Sequence, residues 1–209
     1  MAETASRLDR SGKRLAMVGV SGALLLWLAA YFWLPVPNEA GDPHARLAYA
    51  VGWIAVAMLF GLTMAVEAVA HERLQTDAFD PLSGHETRRL QVNQRYLQNT
   101  LEQSVLFAAG LIGLALIGTG EGTIRAITAC AIVWIVTRYL FWIGYHQVAK
   151  LRVMGIAGLA QSMLVLIWVV ASFGDRHWGL IGWVLPVLTV LAIEAVLVLN
   201  TREASGPKS

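Results

Sequence analysis

"RYLQNTLEQSVLFAAGLIGLALIG", residues 95–118, is the stretch that decides the fold. Its second part, from Ser104 to Gly118, carries no charge, whereas the first nine residues hold Arg95, Asn99 and Glu102. The run is long enough for a membrane-spanning helix, which needs roughly 17–25 mostly apolar residues. In a helix Arg95, Asn99 and Glu102 fall at i, i+4 and i+7 and stack on one face. A cation, an amide and an anion therefore stand at the head of a helix bound for hydrocarbon. Such groups are expensive there and turn inward to partners or to a water-filled cavity.

The whole chain agrees with this reading. Of its 209 residues 56% are hydrophobic and only 14% charged, with a mean hydropathy of +0.57. A soluble domain carries about one quarter charged residues, so the composition is that of an integral membrane protein. A net charge of +2 and the lack of a basic patch interleaved with aromatics argue against nucleic acid as a partner. The single cysteine, Cys130, lies in an apolar run and excludes an intramolecular disulfide framework or a cysteine-based zinc site. His71, His85 and His146 match no ligand spacing, so no metal is expected. The apolar segment after Arg14 is long and rich in Trp and Leu, which suits a spanning helix better than a signal-peptide core.

Six apolar segments can be drawn, over residues 15–35, 46–70, 90–118, 123–148, 153–173 and 178–200. Asp42-Pro43 reads as an N-cap followed by proline at the first helical position. "GTGEG" (118–122) reads as a tight turn and "FGDRHWG" (173–179) as the last break. With the N-terminus inside, twelve of the sixteen Lys and Arg fall on the inner side and only Arg46, Arg125 and Arg176 on the outer. That bias orients the chain with both ends cytoplasmic, and a bacterial inner membrane fits so compact a chain.

The fourth segment repeats the polar stripe. In "TRYLFWIGYHQVAKLR" (137–152), Arg138, Trp142 and Tyr145 are again at i, i+4 and i+7, and Arg152 follows in the next connection. At 1.5 Å per residue Glu102 lies about 18 Å from the cytoplasmic entry and Arg138 about 16 Å. Opposite charges at matching depth on antiparallel neighbours predict a Glu102–Arg138 ion pair. Nearer the cytoplasm, Arg95, Asn99, Tyr145 and Arg152 would line a pocket suited to a small, flexible, anionic ligand with peptide-like groups. The glycine pairs Gly110/Gly113 and Gly155/Gly158 are expected to permit close helix packing.

At these residues the sequence resembles the MAPEG family, the membrane-associated proteins in eicosanoid and glutathione metabolism. "RYLQNTLE" and "RYLFWIGYHQVAKLR" are similar to the family's two hallmark segments, in the right order and separation. The resemblance implies an all-α membrane protein with a MAPEG-like four-helix core over 46–174. One extra transmembrane helix then lies at each end, within 1–45 and 175–209, making six spans. It further implies a homotrimer with glutathione bound between neighbouring subunits. Arg95, Asn99, Glu102, Arg138 and Tyr145 would contact glutathione or brace its site, with Arg73 near a carboxylate of the ligand. Arg152 matches the arginine that stabilises the glutathione thiolate in relatives. Gln103, Phe141 and Gln147 depart from positions that are tyrosine or arginine in some members.

The resulting expectation is a membrane-bound glutathione transferase or peroxidase, with glutathione as co-substrate, acting on lipophilic electrophiles or lipid hydroperoxides that arrive through the membrane lipid. Two other readings stay open. One is a non-catalytic protein of the same fold that binds a lipid or anionic metabolite. The other is a six-span transporter, which requires a polar path through the whole bilayer.

Overall fold

The structure, a computed structural model, describes residues 10–37, 42–82 and 84–203. The terminal tails at 1–9 and 204–209 and residues 38–41 of the first loop lie outside the described residues. Among the described residues every regular element is helical. Helix α1 (Arg10–Trp33) precedes α2 (Pro43–Ala57), which runs through a π-helical turn (Met58–Thr63) into α3 (Met64–Leu74). A long loop leads to α4 (Arg88–Ile117), which pairs with α5 (Gly120–Gln147). A 3₁₀ turn (Ala149–Gly155) then connects to α6 (Ile156–Glu203).

Five helical rods among the described residues are long and apolar enough to cross a membrane. Six segments are expected from the sequence; the count differs because the last two run together through Gly179 with no loop between them. Gly179 has φ +61° and ψ −149°, which is not helical. The backbones of Gly174 and Gly182 meet so closely that a Cβ on either would collide with the other's carbonyl. The rod thus turns sharply inside the expected "FGDRHWG" break.

The helix ends follow their sequence signals. Asp42 is extended (φ −89°, ψ 123°) and its carboxylate accepts from the N–H groups of His44 (3.0 Å) and Ala45 (3.2 Å), with Pro43 opening α2. Thr87 caps α4 by accepting from the Leu90 N–H at 3.0 Å. Gly120, at φ +70°, supplies the left-handed step that starts α5 directly after α4.

The three arginines expected as outer-loop charges are part of the helix ends instead. Arg46 is 4% exposed and its Nε donates to the Ala115 carbonyl at 3.2 Å. Arg176 donates to the Ile117 carbonyl at 2.5 Å, and Arg125 to the Tyr31 carbonyl at 3.0 Å. Each cation satisfies a carbonyl in the last turn of α4 or α1, where carbonyls have no helical partner and the helix dipole favours positive charge.

The core forms where α2, α4 and α5 meet. Phe107 stacks on Trp134 with centroids 4.8 Å apart, and Leu111, Ile127 and Ala131 close around them. Small residues set how near the helices come. A Cβ on Gly61 would lie 2.7 Å from the Trp134 indole, so the π-helical turn carries its glycine against the largest core ring. Gly110 and Gly113 receive Val165 and Val169 of α6, as the sequence led one to expect. Gly155 and Gly158 lie against Thr137 of α5, Gly155 also against Phe141.

Gly155 is the contact whose own carbonyl serves the polar residues. A Cβ there would sit 2.5 Å from the Phe141 Cβ and 2.7 Å from the Thr137 carbonyl. Overpacking of this kind costs about 1–3 kcal/mol. Gly155→Val is expected to lower the thermal unfolding midpoint in detergent, whereas Gly22→Ala, with nothing within 4 Å of the new Cβ, does not lower it, alanine being the better helix former. Equal midpoints for the two variants would contradict the packing described.

Candidate functional site

Two turns of α4, from Arg95 to Glu102, place Arg95, Gln98, Asn99 and Glu102 on one side of the helix. Together with Phe141 and Tyr145 from the end of α5 and Arg152 from the 3₁₀ turn, they line a cavity of about 290 Å³. Five residues expected from the sequence, Arg95, Asn99, Glu102, Tyr145 and Arg152, thus converge on one crevice. Arg138 stands behind it. Arg73, in the last turn of α3, is not part of its wall.

Arg138 is fully buried, at 0% exposure. Its Nη1 donates to Asn99 Oδ1 at 2.8 Å and its Nη2 to the Gly155 carbonyl at 2.9 Å. The guanidinium also lies 5.5 Å from the Phe141 ring centre and 5.9 Å from that of Trp134, within cation–π range. Its Nε is buried without a hydrogen-bond partner among the described residues.

The expected Glu102–Arg138 ion pair does not form. Glu102 is exposed and its Oε1 accepts from Gln98 Nε2 at 3.2 Å. The reason is rotation around α4. Residues three apart are offset by about 60° on a 3.6-residue helix, so Asn99 turns toward α5 while Glu102 turns away. Equal depth did not imply equal direction.

The same geometry corrects the second stripe. Trp142 points away from the cavity: its ring stacks on Tyr96 at 5.1 Å and its Nε1 donates to Asn93 Oδ1 at 2.9 Å. Asn93 Oδ1 also pairs with His146 Nε2 at 2.8 Å, and Asn93 Nδ2 donates to the Ala68 carbonyl at 3.2 Å. These contacts, with the Arg89–Glu72 ion pair at 3.0 Å, fasten the C-terminal ends of α3 and α5 and the N-terminal end of α4 to one another. Phe141, one residue before Trp142, lines the cavity wall. Among the described residues no group of three His, Cys, Asp or Glu could hold a metal ion.

Two site residues escaped the sequence reading. Gln98 connects Arg95 and Glu102, accepting from Arg95 Nη1 at 3.3 Å while donating to the carboxylate. Its i+3 and i+4 spacing to those two charges was the available signal. Gly155 acts through its backbone carbonyl alone, for which no side chain gives a signal.

The polar groups are prearranged. Asn99 Oδ1 accepts from both Arg138 and Gln103 Nε2 (3.1 Å), which fixes the amide and leaves Nδ2 as a donor for the cavity. Arg152 sits 5.2 Å from the Tyr145 ring centre, held over an aromatic face. Two arginines on the wall and one behind it outnumber the single carboxylate, so the crevice is electropositive and favours an anion. The lining residues all lie at one end of the bundle.

Because Asn99 rather than Glu102 holds the buried cation, the two substitutions must differ. Asn99→Leu is expected to lower stability by about 2–3 kcal/mol, the scale of a hydrogen bond to a charged group. Glu102→Gln, at an exposed position, stays within about 0.5 kcal/mol. Unfolding midpoints in detergent compare them, and the reverse order would restore the ion pair.

No curated protein and no solved structure matches the chain. A family model described as "MAPEG family" matches residues 46–173, from Arg46 at the head of α2 to Phe173 in α6. The match covers more than half of the chain and all seven residues of the cavity wall, while α1 and the part of α6 beyond Phe173 lie outside it. This protein is therefore a member of the MAPEG family.

Proposed function

We propose that the crevice binds glutathione and that the protein is a membrane-bound, glutathione-dependent transferase or peroxidase acting on hydrophobic electrophiles or lipid hydroperoxides. The observation that carries this reading is the convergence of Arg95, Asn99, Glu102, Tyr145 and Arg152 on one electropositive cavity in a MAPEG chain. Glutathione is a flexible peptide with two carboxylates, one ammonium and one thiol, and the wall offers counterparts to one carboxylate, the ammonium and the thiol. Arg95 meets a carboxylate, Glu102 accepts from the ammonium, and Asn99 Nδ2 donates to a peptide carbonyl. Arg152, braced over Tyr145, stands beside the thiol.

A cation beside a thiol stabilises the thiolate, and the thiolate is the nucleophile. Its sulfur then attacks a lipophilic partner delivered by the bilayer. At an electrophilic carbon the S–C bond forms as the leaving group departs with its electron pair. At a peroxide oxygen the O–O bond breaks to give an alcohol and glutathione sulfenic acid, which a second glutathione converts to the disulfide and water. In a homotrimer, glutathione bound between neighbouring subunits would also come within reach of Arg73, which lies off the cavity of its own chain. We place the crevice at the cytoplasmic face of a bacterial inner membrane, where glutathione is supplied from the aqueous side.

A non-catalytic binding protein is the second reading, favoured by one feature. Arg95, Gln98 and Glu102 already satisfy one another, and Phe141 offers no hydroxyl. Thiolate formation separates the two. With glutathione added, thiolate ultraviolet absorbance is expected at a pH well below the free thiol's ordinary value of about 8.5. Arg152→Ala abolishes that absorbance while glutathione still binds. Arg95→Ala weakens binding about tenfold or more, since a charge-assisted bond is worth at least about 1.4 kcal/mol. Binding without thiolate absorbance would select the non-catalytic reading, and no binding at all would reject glutathione as the ligand.

A further inference from the structure

A second opening lies at the other end of the bundle, between α1, α5 and α6. Its inner part is a slot of about 470 Å³ with almost purely apolar walls, among them Ala23, Leu24, Val133, Ala160 and Leu164. Polar groups in the wall are engaged with one another: Trp27 Nε1 donates to Cys130 Sγ at 3.3 Å and Gln161 Nε2 to the Cys130 carbonyl at 2.8 Å. Above it is a mouth of about 670 Å³ near the Gly118 turn, bordered by Tyr31, Thr123, Ser172, Asp175 and Arg176. Slot and mouth share Trp27, Leu114, Ala126 and Trp168 as walls, so they form one continuous cleft.

We propose that this cleft is a binding site for one zwitterionic phospholipid, of the phosphatidylethanolamine type, taken from the surrounding bilayer. Three observations select that occupant. The slot opens sideways: Leu24 and Leu164 on its rim are 58% and 66% exposed, on helices that cross the membrane, so hydrocarbon is what meets it. Its length fits a lipid tail. From Arg176 down to Gln161, α6 covers about 22 Å at 1.5 Å per residue, enough for an acyl chain that begins at the interface of a leaflet about 15 Å deep.

Charge at the mouth is the third observation. Asp175 and Arg176 are adjacent and exposed, both border the opening, and neither enters an ion pair among the described residues. The bond from Arg176 to the Ile117 carbonyl holds the guanidinium at the mouth and leaves other N–H groups for a phosphate. Asp175 offers the matching acceptor for an ammonium. A cation and an anion side by side complement a headgroup that carries both.

The site is distinct from the glutathione crevice, which uses the opposite ends of α4 and α5. Part of its wall comes from outside the family match: Trp27 and Tyr31 on α1, and Trp183 beyond the Gly179 turn. The added helices build a lipid seat onto the four-helix core.

Native mass spectrometry of the full chain tests this, after delipidation in detergent and addition of defined lipids. Phosphatidylethanolamine is expected to be retained at one molecule per chain, and more strongly than phosphatidylglycerol or free fatty acid. Arg176→Gln and Asp175→Asn, both at exposed positions, each reduce retention about tenfold, the scale of one charge-assisted contact. Ala160→Trp, which projects a ring from an exposed position into the slot, removes it. Arg152→Ala leaves it unchanged, so failure here and failure of the glutathione reading are separable. Equal retention by wild type and both charge variants would overturn the proposal, as would equal retention of phosphatidylglycerol. Loss of oligomers in Ala160→Trp without any retained lipid would assign the cleft to a second copy of this chain instead.

Discussion

A guanidinium held away from water must find its partners inside the protein, and Arg138 finds them on two different elements. The Asn99 amide belongs to α4 and the Gly155 carbonyl to the 3₁₀ turn, so one side chain of α5 ties three segments at a single point. An unpaired charge in that environment costs several kcal/mol, which makes the arrangement mutually enforcing. Gly155 must lack a side chain for its carbonyl to come near, and Asn99 must turn its oxygen inward, which turns its amide N–H groups outward. The crevice is the external face of that internal requirement.

Much of this was legible in the sequence, and the parts that were not share a physical cause. The stripe of Arg95, Asn99 and Glu102, the Asp42-Pro43 start, the glycine turn at 118–120 and the packing glycines are all local patterns, readable from helical period and backbone preference. Direction between helices is not local. Depth placed Glu102 opposite Arg138, but which residue of α4 faces α5 is fixed by packing elsewhere, and it proved to be Asn99. For the same reason Trp142 belongs to the Asn93 network and Phe141 to the cavity wall. The arginines near the Gly118 turn were read as topology signals, yet each holds a helix-end carbonyl. Residue counts cannot distinguish a loop charge from a cap.

The two openings divide the molecule by chemistry. One end of the α4–α5 pair carries fixed charges and amides around a small crevice, suited to a water-soluble peptide anion. The opposite end carries an apolar slot whose walls include helices added to the family core. Lipophilic chemistry needs both kinds of surface on one scaffold. Here they are separated along α5 by the packed layer of Phe107, Trp134 and Arg138.

The π-helical turn at Met58–Thr63 has a quieter consequence. It holds one more residue than an α-turn would, and the widened loop leaves the Phe60 carbonyl free to accept from the Tyr139 hydroxyl at 2.8 Å. Everything after it is therefore out of phase, by about 100°, with the helix that precedes it. The Ala50–Ala57 face and the Ala65–Arg73 face are set by different phases of one rod. A single-residue deletion within this turn would leave both ends helical and still swing Glu72 and Arg73 around the axis, unfastening α3 from Thr87 and Arg89. Length here is a steering variable: the number of residues in one turn sets how the far end of the rod is aimed.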